Sequence, residues 1–124
     1  MKLSPKLQRI KKWAQKYQYT KGFQIKLDQE LANELYTLRG ENNRALNPVQ
    51  VWLWAFLYCS KTTKLYHFGF QDILFIDAES NQLTDGQHRI AGFLSSGIKK
   101  TDVIIVFTSG DTLIDVSSTL RIKV

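Results

Sequence analysis

Residues 73–98 read ILFIDAESNQLTDGQHRIAGFLSSGI, and the way this stretch divides decides the fold. Ile73 to Asp77 (ILFID) is a short apolar run with the length of a strand, and AESNQ after it has turn composition. Leu83 and Thr84 read as a short returning strand. The period then changes: Ile90, Ala91, Phe93 and Leu94 fall at helical spacing, and Gly97 stands where a C-terminal cap belongs. Asp85-Gly86 joins this strand to this helix. Beyond it, Val103 to Phe107 (VIIVF) is continuously apolar between polar residues, the signature of a central strand.

The flanking sequence supplies further elements. Pro5 to Tyr17 is predicted helical, with Ser4 as N-cap and Pro5 at the first helical position. Leu3, Leu7, Ile10, Trp13, Ala14 and Tyr17 share one side of it, and Lys2, Lys6, Arg9, Lys12 and Lys16 form a neighbouring stripe. Phe23 to Leu27 alternates like a strand, and Asp28 caps a second helix running to Leu38, which Gly40 ends. Asn47-Pro48 opens a third helix with Val49, Trp52, Leu53, Phe56 and Leu57 as its expected buried face and Cys59 at its buried end. Asp111 to Val116 reads as a short last helix and Leu120 to Val124 as an extended tail. The pattern predicts an α+β (mixed α/β) fold, a small sheet flanked by helices. A basic amphipathic helix in residues 1–21 would precede one domain over residues 22–124.

Charge is distributed unevenly. Lys2, Lys6, Arg9, Lys11, Lys12, Lys16 and Lys21 face no acid in the first 21 residues, so ten of the 17 basic residues remain against 11 acidic ones elsewhere. A nearly neutral body thus carries a basic arm. Neither a secretory signal nor an 18-residue apolar span is present, and the single Cys59 forms no internal disulfide. The expected location is cytoplasmic, with no membrane partner.

Asp85, Gly86, Gln87, His88 and Arg89 are five consecutive polar or flexible residues at a strand-to-helix junction. Glycine lets the backbone approach a ligand, and the first amides of the helix carry about half a positive charge. Arg89 adds a planar fork, worth about 1.5–3 kcal/mol in a charge-assisted bond, and His88 adds one or two donors. This is the composition of a phosphate site. The same residues also suit an N-cap, a turn glycine and a solvated first turn. Arg89, however, opposes the dipole of a first turn, where an acid would be favoured.

The segment DGQHRIAGF resembles the DGQHR motif of the ParB/sulfiredoxin superfamily, in the branch found in phage and mobile-element proteins. The likeness extends over about residues 23–124: Asn43-Arg44, the helix from Pro48, the hairpin leading to DGQHR, VIIVF, and IDVSSTLRIKV. It implies a ParB/sulfiredoxin-like fold, with Gly86, His88 and Arg89 on nucleotide phosphates and Asn43 and Arg44 as a second contact. A nucleoside triphosphate with Mg is the cofactor it would imply. Gln87 stands where sulfiredoxins have their reactive cysteine and ParB proteins a glutamate, which excludes thiol-based sulfinic acid reduction. With no helix-turn-helix before Val124, a complete ParB-type centromere reader is not expected.

Other chemistries find little footing. His67, His88 and Cys59 lack metal-ligand spacing, and His67 reads as structural. Ser95 and Ser96 are helix-end residues, and no catalytic set stands out. Asp77 and Asp85 suit a strand-end turn and a cap better than a Mg site. The leading expectation is a nucleotide- and nucleic-acid-binding protein of phage or mobile-element type that acts in DNA transactions. The basic stripe would contact phosphates non-specifically. One rival is a non-catalytic inhibitor of a host defence nuclease, acting on that protein through the basic face. Another is a weak NTPase or nuclease using Asp77 and Asp85.

Overall fold

In a computed structural model the structure describes residues 2–40, 45–59 and 73–109. Eight elements occur among them: α1 (Pro5–Lys16), β1 (Phe23–Asp28), α2 (Gln29–Thr37), α3 (Pro48–Cys59), β2 (Ile73–Asp77), β3 (Leu83–Asp85), α4 (Gln87–Ser96) and β4 (Lys100–Thr108). The fold is mixed α+β, a four-stranded open sheet of order β1-β4-β2-β3 with helices packed on it. β4 is central, as its unbroken apolar run predicts. It pairs antiparallel with β1 (Phe23 opposite Ile105) and parallel with β2 (Ile73 opposite Ile104).

Alternation along the strands sorts the core. Leu27, Leu74, Ile76, Leu83, Val103, Ile105 and Phe107 join Leu7 and Ile10 of α1, Leu31 and Leu35 of α2, and Ile90 and Phe93 of α4 in one buried cluster. Ile104 and Val106 point the other way and pack with Ile73 and Phe75. The N-terminal helix thus contributes to the body's main core. Its sequence cap is in place: Ser4 Oγ accepts from the Leu7 amide at 3.3 Å.

β1 passes into α2 without a loop because Asp28 ends the strand and caps the helix, its Oδ1 accepting from the Leu31 amide at 2.7 Å. Asp28→Ala is expected to cost about 1 kcal/mol, read as a lower denaturant midpoint with an unchanged m-value. α2 closes at Leu38 in ordinary backbone geometry, ahead of the expected Gly40.

α3 corrects the sequence reading. Val49, Trp52 and Phe56 are 64%, 62% and 56% exposed, Leu53 is exposed as well, and Leu57 is only half-buried. Cys59, expected on a buried element, is also exposed. The opposite side faces α4: Tyr58 is buried and meets Phe93 edge-on at 5.6 Å, with Trp54 packed beside the core. Pro48–Cys59 contains no charged residue, so polarity cannot distinguish its two sides. Close approach does: a Cβ at Gly92 of α4 would lie 2.4 Å from Trp54 Cβ and 2.9 Å from the Ala55 amide nitrogen. The missing side chain at Gly92 lets the two helices touch there.

Candidate functional site

Between β3 and α4 the chain turns on Gly86, which has φ +105° and is the N-cap of the helix. Glycine is required there twice over, since a Cβ would also meet Leu74 Cδ2 at 2.4 Å. Asp85 does not cap the helix: its Oδ1 accepts from the adjacent Gly86 amide at 2.9 Å. α4 has neither a side-chain cap bond nor an acid in its first turn. The Asp85 carboxylate, one residue before the N-cap, is the charge that stands beside its positive end.

The side chains that follow are largely drawn into the protein. Gln87 is 6% exposed, and its Oε1 accepts from Arg39 Nε at 2.7 Å. Arg39 donates also to the Tyr36 hydroxyl (2.9 Å) and lies over that ring at 4.9 Å. A parallel bridge from Arg39 to Leu83, with the Leu83 amide donating to the Leu38 carbonyl, brings the end of α2 to this junction. His88 Nε2 accepts from the Asn47 amide at 3.0 Å. An accepting ring nitrogen carries no proton, so that nitrogen is not the phosphate donor the sequence reading assigned to His88.

Arg89 also bonds within the protein. Its Nη1 donates to the Ile73 carbonyl at 2.9 Å, and its guanidinium lies 4.8 Å from the centre of the Trp54 ring. One side chain thereby ties α4 to β2 and to α3. The local cost of an arginine in a first turn is offset by these two contacts.

Asn43, Arg44 and His67, with the reading of residues 110–124, lie outside the described residues. Asp77 and Asp85 are both taken up locally. Asp77 Oδ2 accepts from the Ser80 hydroxyl (2.7 Å) and amide (2.8 Å), and these bonds hold its pKa below the ordinary carboxylate value. Among the described residues no three His, Cys, Asp or Glu side chains gather as a metal site would require.

The basic stripe is exposed along α1: Lys2, Lys6, Arg9, Lys12 and Lys16 all reach solvent. Among the described residues the ion pair within 4.0 Å is Lys26–Asp102, which leaves these five cations without a carboxylate at that distance. Two grooves flank the helix. One lies against α2, where Lys6 and Arg9 share the walls with Asp28, Glu30 and Glu34. The other lies against the β2–β3 turn and is lined by Lys2, Lys11, Lys12, Gln8, Gln15 and Asn81. Sequence periodicity missed Lys11 and Asn81, which meet at 2.7 Å across 70 positions, and it missed Arg39. Only the position of Arg39 just before Gly40 marked it, and that signal is faint.

α1 and the α4 junction lie towards opposite ends of the β2–β3 hairpin. Lys11 reaches Asn81 in the turn after β2, while Arg89 bonds Ile73 at the start of β2. They are two separate positive regions. No helix among the described residues is long and apolar enough to cross a membrane. In comparisons with known proteins, no family model, curated protein or solved structure matches the chain.

Proposed function

We propose that this protein binds phosphate-bearing ligands, nucleic acid above all, and acts in DNA transactions or their regulation in a phage or mobile-element setting. One observation carries the reading: the exposed cations of α1 have no carboxylate within ion-pair distance among the described residues. A polyanion releases counterions on meeting such a surface, and this drives sequence-independent binding. The glycine-led start of α4, which has no side-chain cap bond, with Arg39 behind it, supports a second, local seat for a phosphate or nucleotide. The DGQHR resemblance supports the same assignment and the phage or mobile-element setting.

The test is fluorescence anisotropy with labelled duplex DNA between 50 and 200 mM salt, alongside calorimetry with CTP and ATP. Four or five phosphate contacts give a slope of about −4 in log K against log salt, a loss of about 250-fold across that range. A salt-independent Kd, or no binding of DNA or nucleotide, overturns the reading.

A second reading has its own observation. Val49, Trp52, Leu53 and Phe56 form an exposed, uncharged stripe on α3, with Trp52 and Phe56 stacked at 5.6 Å. Such a surface suits a protein partner. It favours an inhibitor that engages a host defence protein, and in that case DNA binding would be weak while a stable protein complex would form.

A further inference from the structure

The two grooves beside α1 differ in charge, and the difference bears on where a nucleic acid would lie. In the groove against α2, Lys6 and Arg9 face Asp28, Glu30 and Glu34. Cations and acids that close lie well inside a Debye length of about 8–10 Å, so their fields cancel. In the groove against the β2–β3 turn, Lys2, Lys11 and Lys12 share a space of about 410 Å³ with Gln8, Gln15 and Asn81; among the described residues no carboxylate lines it, and the nearby Asp77 carboxylate, which feels the Lys11 charge, is already bonded to Ser80. Three acids thus face the stripe on the α2 side, whereas on the other side Asp77, held by Ser80, is an acid set outside the groove lining.

We propose that the groove between α1 and the β2–β3 turn seats the phosphodiester backbone of a nucleic acid, with Lys11 as its positioned cation. This rests on the nucleic-acid reading above and adds where on α1 the strand lies. Lys11 Nζ donates to Asn81 Oδ1 at 2.7 Å, and the Asn81 amide in turn donates to the Asp77 carbonyl at 2.7 Å. Asn81 adopts φ +62°, a left-handed conformation that asparagine tolerates. The ammonium group is thus held across the groove from its own helix, and less side-chain entropy remains to be lost on binding. An ammonium has three donors, and Asn81 uses one.

The lining also identifies the ligand's chemistry. Among the described residues no aromatic ring lines the groove, so these residues offer no platform on which a base could stack. Lysines and glutamines are phosphate and sugar contacts, which position a strand without reading its sequence. α1, with 12 residues, is about 18 Å long. At about 3.4 Å per nucleotide along one strand, that spans about five phosphates.

Anisotropy titrations with duplex DNA test the assignment on two matched pairs, Lys11→Gln/Lys12→Gln and Lys6→Gln/Arg9→Gln, with thermal melts to confirm folding. The first pair is expected to weaken binding about tenfold or more near 100 mM salt and to make the slope shallower by about 2; the second is expected to change affinity less than about threefold. Lys2→Gln/Lys12→Gln leaves the Lys11–Asn81 bond in place and carries the same expectation as the first pair, so a folding defect at Lys11 does not spoil the test. If the Lys6/Arg9 pair loses as much as the groove pairs, or more, the groove assignment falls while nucleic-acid binding stands. If CTP or ATP binds saturably and only the groove pairs abolish it, the seat is for a nucleotide and the backbone assignment is overturned. If wild type binds no DNA, both fall together.

Discussion

Gly92→Ala is expected to destabilise the protein by about 2 kcal/mol, with the denaturant midpoint lowered and the m-value unchanged. Two effects oppose each other. Alanine in a helix interior gains about 1 kcal/mol over glycine, whereas overpacking a tight contact costs about 1–3 kcal/mol and occasionally more. The second wins because of what the new methyl meets. Its neighbours would be Trp54 Cβ at 2.4 Å, the Ala55 nitrogen at 2.9 Å and the Trp54 carbonyl carbon at 3.1 Å. None of these can rotate away, so α3 as a whole must move off α4. Trp54→Ala keeps its Cβ and should not rescue the variant; the two losses should add or worsen. A Gly92→Ala protein as stable as wild type would mean that α3 does not pack on α4 at this distance.

The second large effect belongs to Arg89. Arg89→Ala is expected to cost about 2–3 kcal/mol. A hydrogen bond from a charged donor is worth about 1.5–3 kcal/mol and a cation–π contact about 0.5–2 kcal/mol, and half-burial keeps their total below the simple sum. Arg89→Lys should recover less than half, since a single ammonium cannot both bond the Ile73 carbonyl and lie flat on Trp54. Equilibrium urea unfolding of the three proteins measures this. If Arg89→Ala unfolds within about 0.5 kcal/mol of wild type, the guanidinium faces solvent and is available to a phosphate, as the sequence reading had it. The test also guards the binding experiments: loss of nucleotide binding in Arg89→Ala means little without its stability beside it.

Much of the fold was legible because polarity contrasts marked it. β2 and β4 stood out as apolar runs between polar residues, α4 as a change of period bounded by Gly86 and Gly97, and α1 by Ser4-Pro5 and its two-sided pattern. α3 was not legible in this way. With no charge anywhere in the helix, hydrophobicity pointed to the Val49–Trp52–Phe56 side, while steric fit at Gly92 selected the Trp54–Tyr58 side. A glycine with helical residues on both sides was the available clue.

At the candidate site the sequence marks residue types, while their bonding partners come from distant parts of the chain. Five polar residues in a row suggest a solvated turn, yet Gln87 is buried on Arg39, which lies 48 positions away. His88 and Arg89 likewise find backbone partners at Asn47 and Ile73 that no local pattern reveals. Residue type identifies what a side chain can bond, and only the fold decides whether a ligand or the protein itself takes that bond. Lys11 shows the reverse case: it fell outside the basic stripe by periodicity and is the lysine that Asn81 positions.

The sheet order has a consequence for how the chain is made. β1 must wait for β4, since Phe23 pairs with Ile105, 82 positions later. β2 also has its place beside β4, and only the short β2–β3 hairpin can form without it. At about 5–20 residues per second, the nascent chain spends about 4–16 s with β1 made and its partner not yet translated. During that interval the apolar strand edges, and α3 once it has been translated, stay open to whatever the cell supplies. Closing the described sheet therefore waits on β4, and a chain stalled before Lys100 would present a handhold for chaperones and proteases.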